Sequence, residues 1–297
     1  MSKEKTIRTQ SAFMIKVKDL GMLVKFRLTL TVVFSAFMAF LIASEGSIDW
    51  VSVLILVSGG FLITGASNTL NQVLEKDFDK LMARTENRPL ATGRMNTSEA
   101  VLWAGFMTLA GIMLLAYFNV WAAFFGMVAL VSYAFIYTPM KRVSPIAITI
   151  GAFPGALPVL IGCVAYQGEL TMLGLSLFLI QFLWQFPHFL AIGWLGFDDY
   201  QKAGYQLLPT RNGEREPNTG FHSMLYAVLL IPFVIIPYYY GITGMWSMIF
   251  AVVVTLIYTW FGWNLQQKKD RKSALQLMFS SFFYLPFILI AFLIDKV

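Results

Sequence analysis

Between residues 68 and 90 the chain reads NTLNQVLEKDFDKLMARTENRPL, and Asn71, Glu75 and Asp79 recur there at every fourth position. At about 100° per residue, four steps bring a helical side chain back to within ~40°. The three therefore share one helix face, about 6 Å apart along the axis. An amide and two carboxylates in one stripe make an oxygen-donor set for a hard cation such as Mg²⁺. That ion keeps several waters and usually binds one or two carboxylates together with substrate phosphates. Arg84 and Arg88 follow, and a guanidinium fork suits phosphate oxygens. Asp77 lies about 200° from Glu75, off the stripe, and Pro89 ends the helical pattern. The competing account is a solvated helix end whose acids and bases form exposed pairs.

A second acidic patch stands in WQFPHFLAIGWLGFDDYQKAGYQLLP, residues 184–209, where Asp198 and Asp199 precede Lys202. Two carboxylate clusters at one surface would hold Mg²⁺ on either side of a diphosphate, with Lys202, Arg84 and Arg88 neutralising the rest. His188 sits inside the apolar run, about ten residues before Asp198, which is ~15 Å deeper if the helix continues. It either hydrogen-bonds a neighbouring helix or contacts a buried polar substrate or metal. Phe182, Trp184, Phe186 and Trp194 are candidates to shield a cation, or else ordinary packing side chains.

These residues need elements to hold them, and composition says which. Of 297 residues 58% are hydrophobic and only 13% charged, about half the charge of an ordinary soluble domain. Mean hydropathy is +0.67. Disordered, coiled-coil and small secreted classes are excluded, and Cys163, the only cysteine, can form no internal disulfide. About 20 apolar residues span a bilayer. Nine such stretches fit, at about 24–43, 51–73, 99–117, 119–138, 144–166, 170–194, 222–240, 246–264 and 275–294. Period-two alternation is missing, which argues against an outer-membrane barrel.

Nine spans with a cytoplasmic N-terminus place 21 of the 22 lysines and arginines on the cytoplasmic side, Lys296 being the exception. The opposite loops hold Glu45, Asp49 and Glu169 and no base. That asymmetry is the expected mark of topology, so the net charge of +6 signals no nucleic acid. The long connections, 74–98 and 195–221, are both cytoplasmic and carry both patches. Long loops in compact proteins usually carry function.

The run from Asn71 to Asp79, with Arg84-Thr85 and Asn87-Arg88-Pro89-Leu90, resembles the first signature of the UbiA-type intramembrane prenyltransferases. Three further stretches are similar to the haem-farnesylating branch of that family. They are Tyr137-Thr138-Pro139-Met140-Lys141-Arg142 with Ser144-Pro145, Gly155-Ala156-Leu157-Pro158 with Ile161-Gly162, and Phe186-Pro187-His188-Phe189 leading to Asp198-Asp199-Tyr200 and Ala203-Gly204. The similarity covers about residues 20–295.

The resemblance implies an all-α, polytopic bundle of nine transmembrane helices with a cytoplasm-facing cavity. It implies one domain over 1–297, with 1–20 a cytoplasmic segment and 74–98 and 195–221 active-site loops, in a bacterial inner membrane. The expected substrates are farnesyl diphosphate and haem b, with Mg²⁺ as cofactor. The resemblance also allows a haem-A-synthesis or oxidase-assembly partner. Carried over by position, Asn71, Glu75 and Asp79 bind magnesium-diphosphate and form the catalytic set with Asp198 or Asp199. Arg27, Arg84, Arg88, Lys141 and Lys202 contact phosphate oxygens, and Tyr137 faces the cavity. Apart from that carry-over, the depth of His188 predicts a contact to haem and not to diphosphate, since a porphyrin is large and apolar and an imidazole is its natural axial ligand. Two departures stand out. Phe26 replaces the proline usual between the basic pair near residue 25, and the second motif lacks D-x-x-x-D spacing, so the choice between Asp198 and Asp199 stays open. The rival readings are a quinone-precursor or lipid acceptor, and a carrier of haem or phosphorylated lipid. A carrier would place ionisable groups at the bilayer midplane.

Overall fold

The computed structural model describes residues 12–211 and 213–297; Lys3, Lys5 and Arg8 of the basic N-terminal segment lie outside the described residues. Among the described residues, nine helices are long and apolar enough to cross a membrane. They are α2 (Phe26–Ala43), α3 (Trp50–Asp79), α4 (Thr97–Ala116), the segment Val120–Met140, α7 (Ala147–Gln167), α8 (Met172–Leu195), α10 (Thr219–Tyr239), α11 (Met245–Lys268) and α12 (Arg271–Ile294). Short polar residues start several of them. The side chains of Asp49, Asn96, Asn119, Thr171 and Asp270 each accept a backbone N–H in the first turn of the helix that follows, satisfying a donor the helix itself leaves free.

Three features depart from a plain array of spans. A further helix, α1 (Ala12–Leu23), precedes the first span, within what the sequence suggests is only a cytoplasmic segment. The fourth span begins as α5 (Val120–Val131), passes through a π-helical turn at Ser132–Tyr137 and ends as the short α6 (Thr138–Met140). Pro139 has no N–H to continue the ladder, and such turns concentrate at functional sites. The connection 195–221 carries α9 (Phe197–Lys202) and a two-stranded hairpin, β1 (Thr210–Arg211) and β2 (Glu214–Arg215), in antiparallel register.

Helix α3 is the element that matters most. Its 30 residues extend about 45 Å, beyond the ~30 Å hydrocarbon core. The excess carries Glu75 and Asp79 out to the membrane surface on an unbroken helix, so the stripe read from the sequence is real.

Helix α7 occupies the centre. Of its apolar stretch 78% is buried, against 28% for α4 and for α11, and it packs on α2, α5 and α8. Small residues allow this, as is usual where helices meet in lipid. A Cβ on Gly162 would lie 2.2 Å from the Ala36 carbonyl oxygen on α2, and backbone cannot rotate aside. Gly162→Ala should therefore lower the thermal stability of the detergent-purified protein by roughly 1–3 kcal/mol, the usual range for overpacking. An unchanged melting temperature would show that α2 and α7 do not cross so closely.

Candidate active site

The three stripe residues are buried in the C-terminal part of α3, and each meets a base or a hydroxyl from another segment. Asn71 Oδ1 accepts from Lys25 Nζ at 2.8 Å, and its Nδ2 donates to Thr138 Oγ1 at 3.0 Å. Glu75 Oε1 pairs with Lys141 Nζ at 2.8 Å. Asp79 receives Arg88 Nη1 at 2.8 Å from both carboxylate oxygens. Two carboxylates thus face three bases, and the surplus charge is positive.

Local structure explains how those bases arrive. Lys25 adopts the left-handed conformation, φ 49° and ψ 56°, a costly state for a side chain with a Cβ. This turn joins α1 to α2 and aims Lys25 at Asn71. Burial, and then the Arg88 and Lys141 charges, hold the Lys25 ammonium well below the ordinary lysine value. An entering polyanion would relieve that repulsion. Lys141 is different: burial pushes its pKa down, but the Glu75 carboxylate together with the Tyr133 and Tyr200 phenols outweighs this and the net shift is upward. Its ammonium also lies 4.6 Å from the centre of the Tyr137 ring, a cation–π distance.

The remaining residues singled out in the sequence divide. Arg84 is exposed and reaches Tyr200 Oη at 3.5 Å. Lys202 is 69% exposed and 3.8 Å from Asp199. Asp198, 72% exposed, pairs with Arg215 at 2.8 Å. Arg27 is exposed on α2, and Lys25, not Arg27, is the residue that meets the stripe. The second patch thus approaches the first through Tyr200 and Arg84, while its two aspartates point to bases of their own. Asp77 is exposed and bound to Lys80, off the stripe as its angle requires. Among the described residues, no three His, Cys, Asp or Glu side chains converge as a ready-made metal cage.

Exposure sets the scale of effect here, since exposed charge pairs are worth only ~0.2–1 kcal/mol. Arg84→Ala and Lys202→Ala should raise KM for a diphosphate substrate by less than about fivefold, and Asp77→Asn should be silent. A loss of two orders of magnitude in either basic variant would place that side chain on the phosphates.

Tyr205 was invisible to pattern reading. It is buried on the loop after α9, its phenol lies against the Glu75 carboxylate, and its ring packs against Phe78 and Tyr200. Burial first, then the Glu75 and Asp79 charges, push the phenol above its ordinary value. The only sequence signal was its place in the aromatic acidic stretch.

Below the polar cluster lies a cavity of about 700 Å³ whose lining is mostly apolar. It lies between α2, α3, the π-helical turn, α7, α8 and α12, with Asn68, Tyr133, Tyr137, Trp184, His188 and Phe282 among its lining. Tyr137 packs against Gly151, where a Cβ would lie 2.5 Å from the ring. Of the four candidate shielding aromatics only Trp184 lines the cavity. Phe186 stacks on Tyr226 at 4.2 Å, and Trp194 lies under the Arg215 guanidinium.

The sequence profile of the UbiA prenyltransferase family matches residues 32–285. The chain is 44% identical to protoheme IX farnesyltransferase of Cytophaga hutchinsonii, over 93% of this chain and 96% of that one. It is 40% identical to the protein of the same name in Flavobacterium johnsoniae, over 98% and 97%. In architecture it is similar to digeranylgeranylglyceryl phosphate synthase, with a TM-score of 0.79 at 20% identity over 94% and 98% of the two chains. It is also similar to a UbiA homolog from Archaeoglobus fulgidus bound to DMAPP and Mg²⁺, with a TM-score of 0.65 at 15% identity over 92% and 99%. A profile that matches most of the sequence, near-full-length relatives sharing one name, and a shared helical architecture converge: the chain is a multi-pass membrane protein that belongs to the UbiA prenyltransferase family.

Proposed function

We propose that the protein transfers the farnesyl group of farnesyl diphosphate to a vinyl group of haem b, giving haem O for haem–copper oxidase biogenesis. The observation that carries this reading is the 44% identity to a protoheme IX farnesyltransferase along nearly the whole chain. The site supports it with a buried, cationic, carboxylate-bearing cluster next to an apolar cavity. The chain acts as one domain in a bacterial cytoplasmic membrane, with the N-terminus and both long connections on the cytoplasmic side, where its lysines and arginines lie.

The donor set fits Mg²⁺. Asn71, Glu75 and Asp79 offer hard oxygens, the Tyr205 phenol lies against the Glu75 carboxylate, and a diphosphate would supply the ligands that the stripe lacks. Asp198 or Asp199 would serve a second ion. Bound there, Mg²⁺ neutralises charge on the departing diphosphate. The chain's own bases do the rest by exchange: Lys141 and Arg88, now paired with Glu75 and Asp79, turn to phosphate oxygens as the substrate enters. Lys25 joins them.

The bond between the allylic carbon and the diphosphate oxygen breaks with its electron pair going to diphosphate, leaving an allylic cation. The vinyl group supplies the electrons of the new carbon–carbon bond. Water then adds hydroxyl to the adjacent carbon and releases a proton, completing a hydroxyethylfarnesyl substituent. The cavity keeps water from the cation until the carbon–carbon bond has formed, and Tyr133, Tyr137 and Trp184 offer ring faces to it.

Acceptor choice is the direct test. Purified protein given farnesyl diphosphate, Mg²⁺ and equal amounts of haem b and para-hydroxybenzoate should yield haem enlarged by one farnesyl and one hydroxyl group. Prenylated benzoate with unaltered haem would overturn the reading.

A further inference from the structure

His188 lies on α8 in the cavity wall, with its Nδ1 2.7 Å from Ser281 Oγ on α12. Which atom supplies the proton in that bond follows from a second one. Ser281 Oγ also donates to the Met278 carbonyl oxygen at 2.5 Å. A hydroxyl has one proton, and a carbonyl can only accept. With the serine proton directed to Met278, the proton between His188 and Ser281 comes from the imidazole. In that arrangement Nδ1 carries the hydrogen and Nε2 keeps its lone pair for a ligand.

The ring is also held in place. It stacks on Trp184 with centroids 5.4 Å apart and planes 15° from parallel, and it meets Phe282 edge-on at 5.3 Å. Trp184 Nε1 in turn donates to the Ser281 carbonyl at 2.9 Å, so α8 and α12 are fastened on both sides of the imidazole. A neutral histidine whose other nitrogen donates to a fixed oxygen is the arrangement found at metal-ligating histidines. Here the ligand position opens into an apolar cavity of a size that takes a large organic molecule.

We propose that His188 Nε2 is an axial ligand to the iron of the porphyrin acceptor, with Ser281 as the residue that orients it; this rests on haem being the acceptor. Ligation there fixes the porphyrin deep in the cavity and leaves its rim, which bears the vinyl groups, toward Tyr137 and the diphosphate cluster. No bond is made or broken on the iron, so the role is binding and positioning.

The test compares haem b with metal-free protoporphyrin IX, which has the same outline and no iron. Binding to the purified protein is followed by optical titration in wild type, His188→Ala and His188→Asn. Asparagine keeps an N–H donor near the Nδ1 position for Ser281 and removes Nε2, so it guards against a variant that merely misfolds. Wild type should bind haem b at least about tenfold tighter than the metal-free ring, the size of one modest ligand bond. Both variants should lose that preference while retaining affinity for protoporphyrin IX and for farnesyl diphosphate. Added imidazole should restore the ligated haem spectrum to His188→Ala. An iron preference that survives in His188→Asn, or one absent from wild type, would overturn the axial role. Weakened farnesyl diphosphate binding with unchanged haem spectra would overturn it too and move His188 to the prenyl side. Failure of wild type to bind either porphyrin would instead count against haem as the acceptor.

Discussion

Glu75→Gln and Asp79→Asn should each all but abolish turnover while the protein still inserts and purifies. Both exchanges keep the shape of the side chain and remove one formal negative charge. They act at buried positions, where a lost charge is not replaced by solvent. Each also strips a base of its partner: Lys141 loses Glu75, and Arg88 loses Asp79. The charge arrangement that receives a metal–diphosphate is therefore damaged twice by one substitution. Losing one preorganised electrostatic group at a reacting centre costs on the order of 10²–10³ in rate, so product formation should fall to about a hundredth or less at saturating Mg²⁺. The measurement is the rate of farnesylated haem formation, with Asp77→Asn as the control that keeps the wild-type rate. If either stripe variant holds more than about a tenth of wild-type activity, that carboxylate is not a ligand.

Arg88→Ala and Lys141→Ala should produce the next largest losses. In the free protein these bases neutralise Asp79 and Glu75, and in the proposed mechanism they turn to phosphate oxygens once the substrate is bound. Charge-assisted contacts of this type are worth about 1.5–3 kcal/mol, which is roughly ten- to hundredfold in kcat/KM. The split between the parameters is informative. Contacts that tighten as negative charge gathers on the departing diphosphate lower kcat, whereas contacts equal in ground and transition states raise KM alone. Lys141→Ala should lower kcat more than Arg88→Ala does. Lys141 sits over Tyr137, which lines the cavity, and the proposed mechanism puts the allylic end of the substrate there. Equal and purely KM-type effects would assign both bases to binding.

The parts of this site that could be read in advance are those carried on one continuous element. Asn71, Glu75 and Asp79 lie on a single helix, so their spacing alone placed them on one face, and α3 confirms the stripe. The nine spans followed from apolar length and from the one-sided basic residues. Contacts between distant segments were not legible. Lys25 meets Asn71 across 46 residues and Lys141 meets Glu75 across 66, and no periodicity connects such positions. The left-handed turn at Lys25 decides between Lys25 and Arg27, and nothing in a lysine marks it for that conformation. Tyr205 reaches the carboxylates only because the loop after α9 folds back. There its neighbour Gln206 donates its backbone N–H to the Lys141 carbonyl. The prolines gave partial warning: Pro139 accompanies the π-helical turn that sets Thr138 against Asn71.

Haem chemistry in a living membrane tests the central claim most directly. The protein is expressed in a bacterial host that lacks its own haem O, the pigments are extracted, and their masses are compared with those from cells carrying the Glu75→Gln variant. The account predicts a new haem, heavier than haem b by one farnesyl and one hydroxyl group, in cells with the wild-type chain and in no others. Haem b alone in cells whose membranes contain the folded wild-type protein would contradict it.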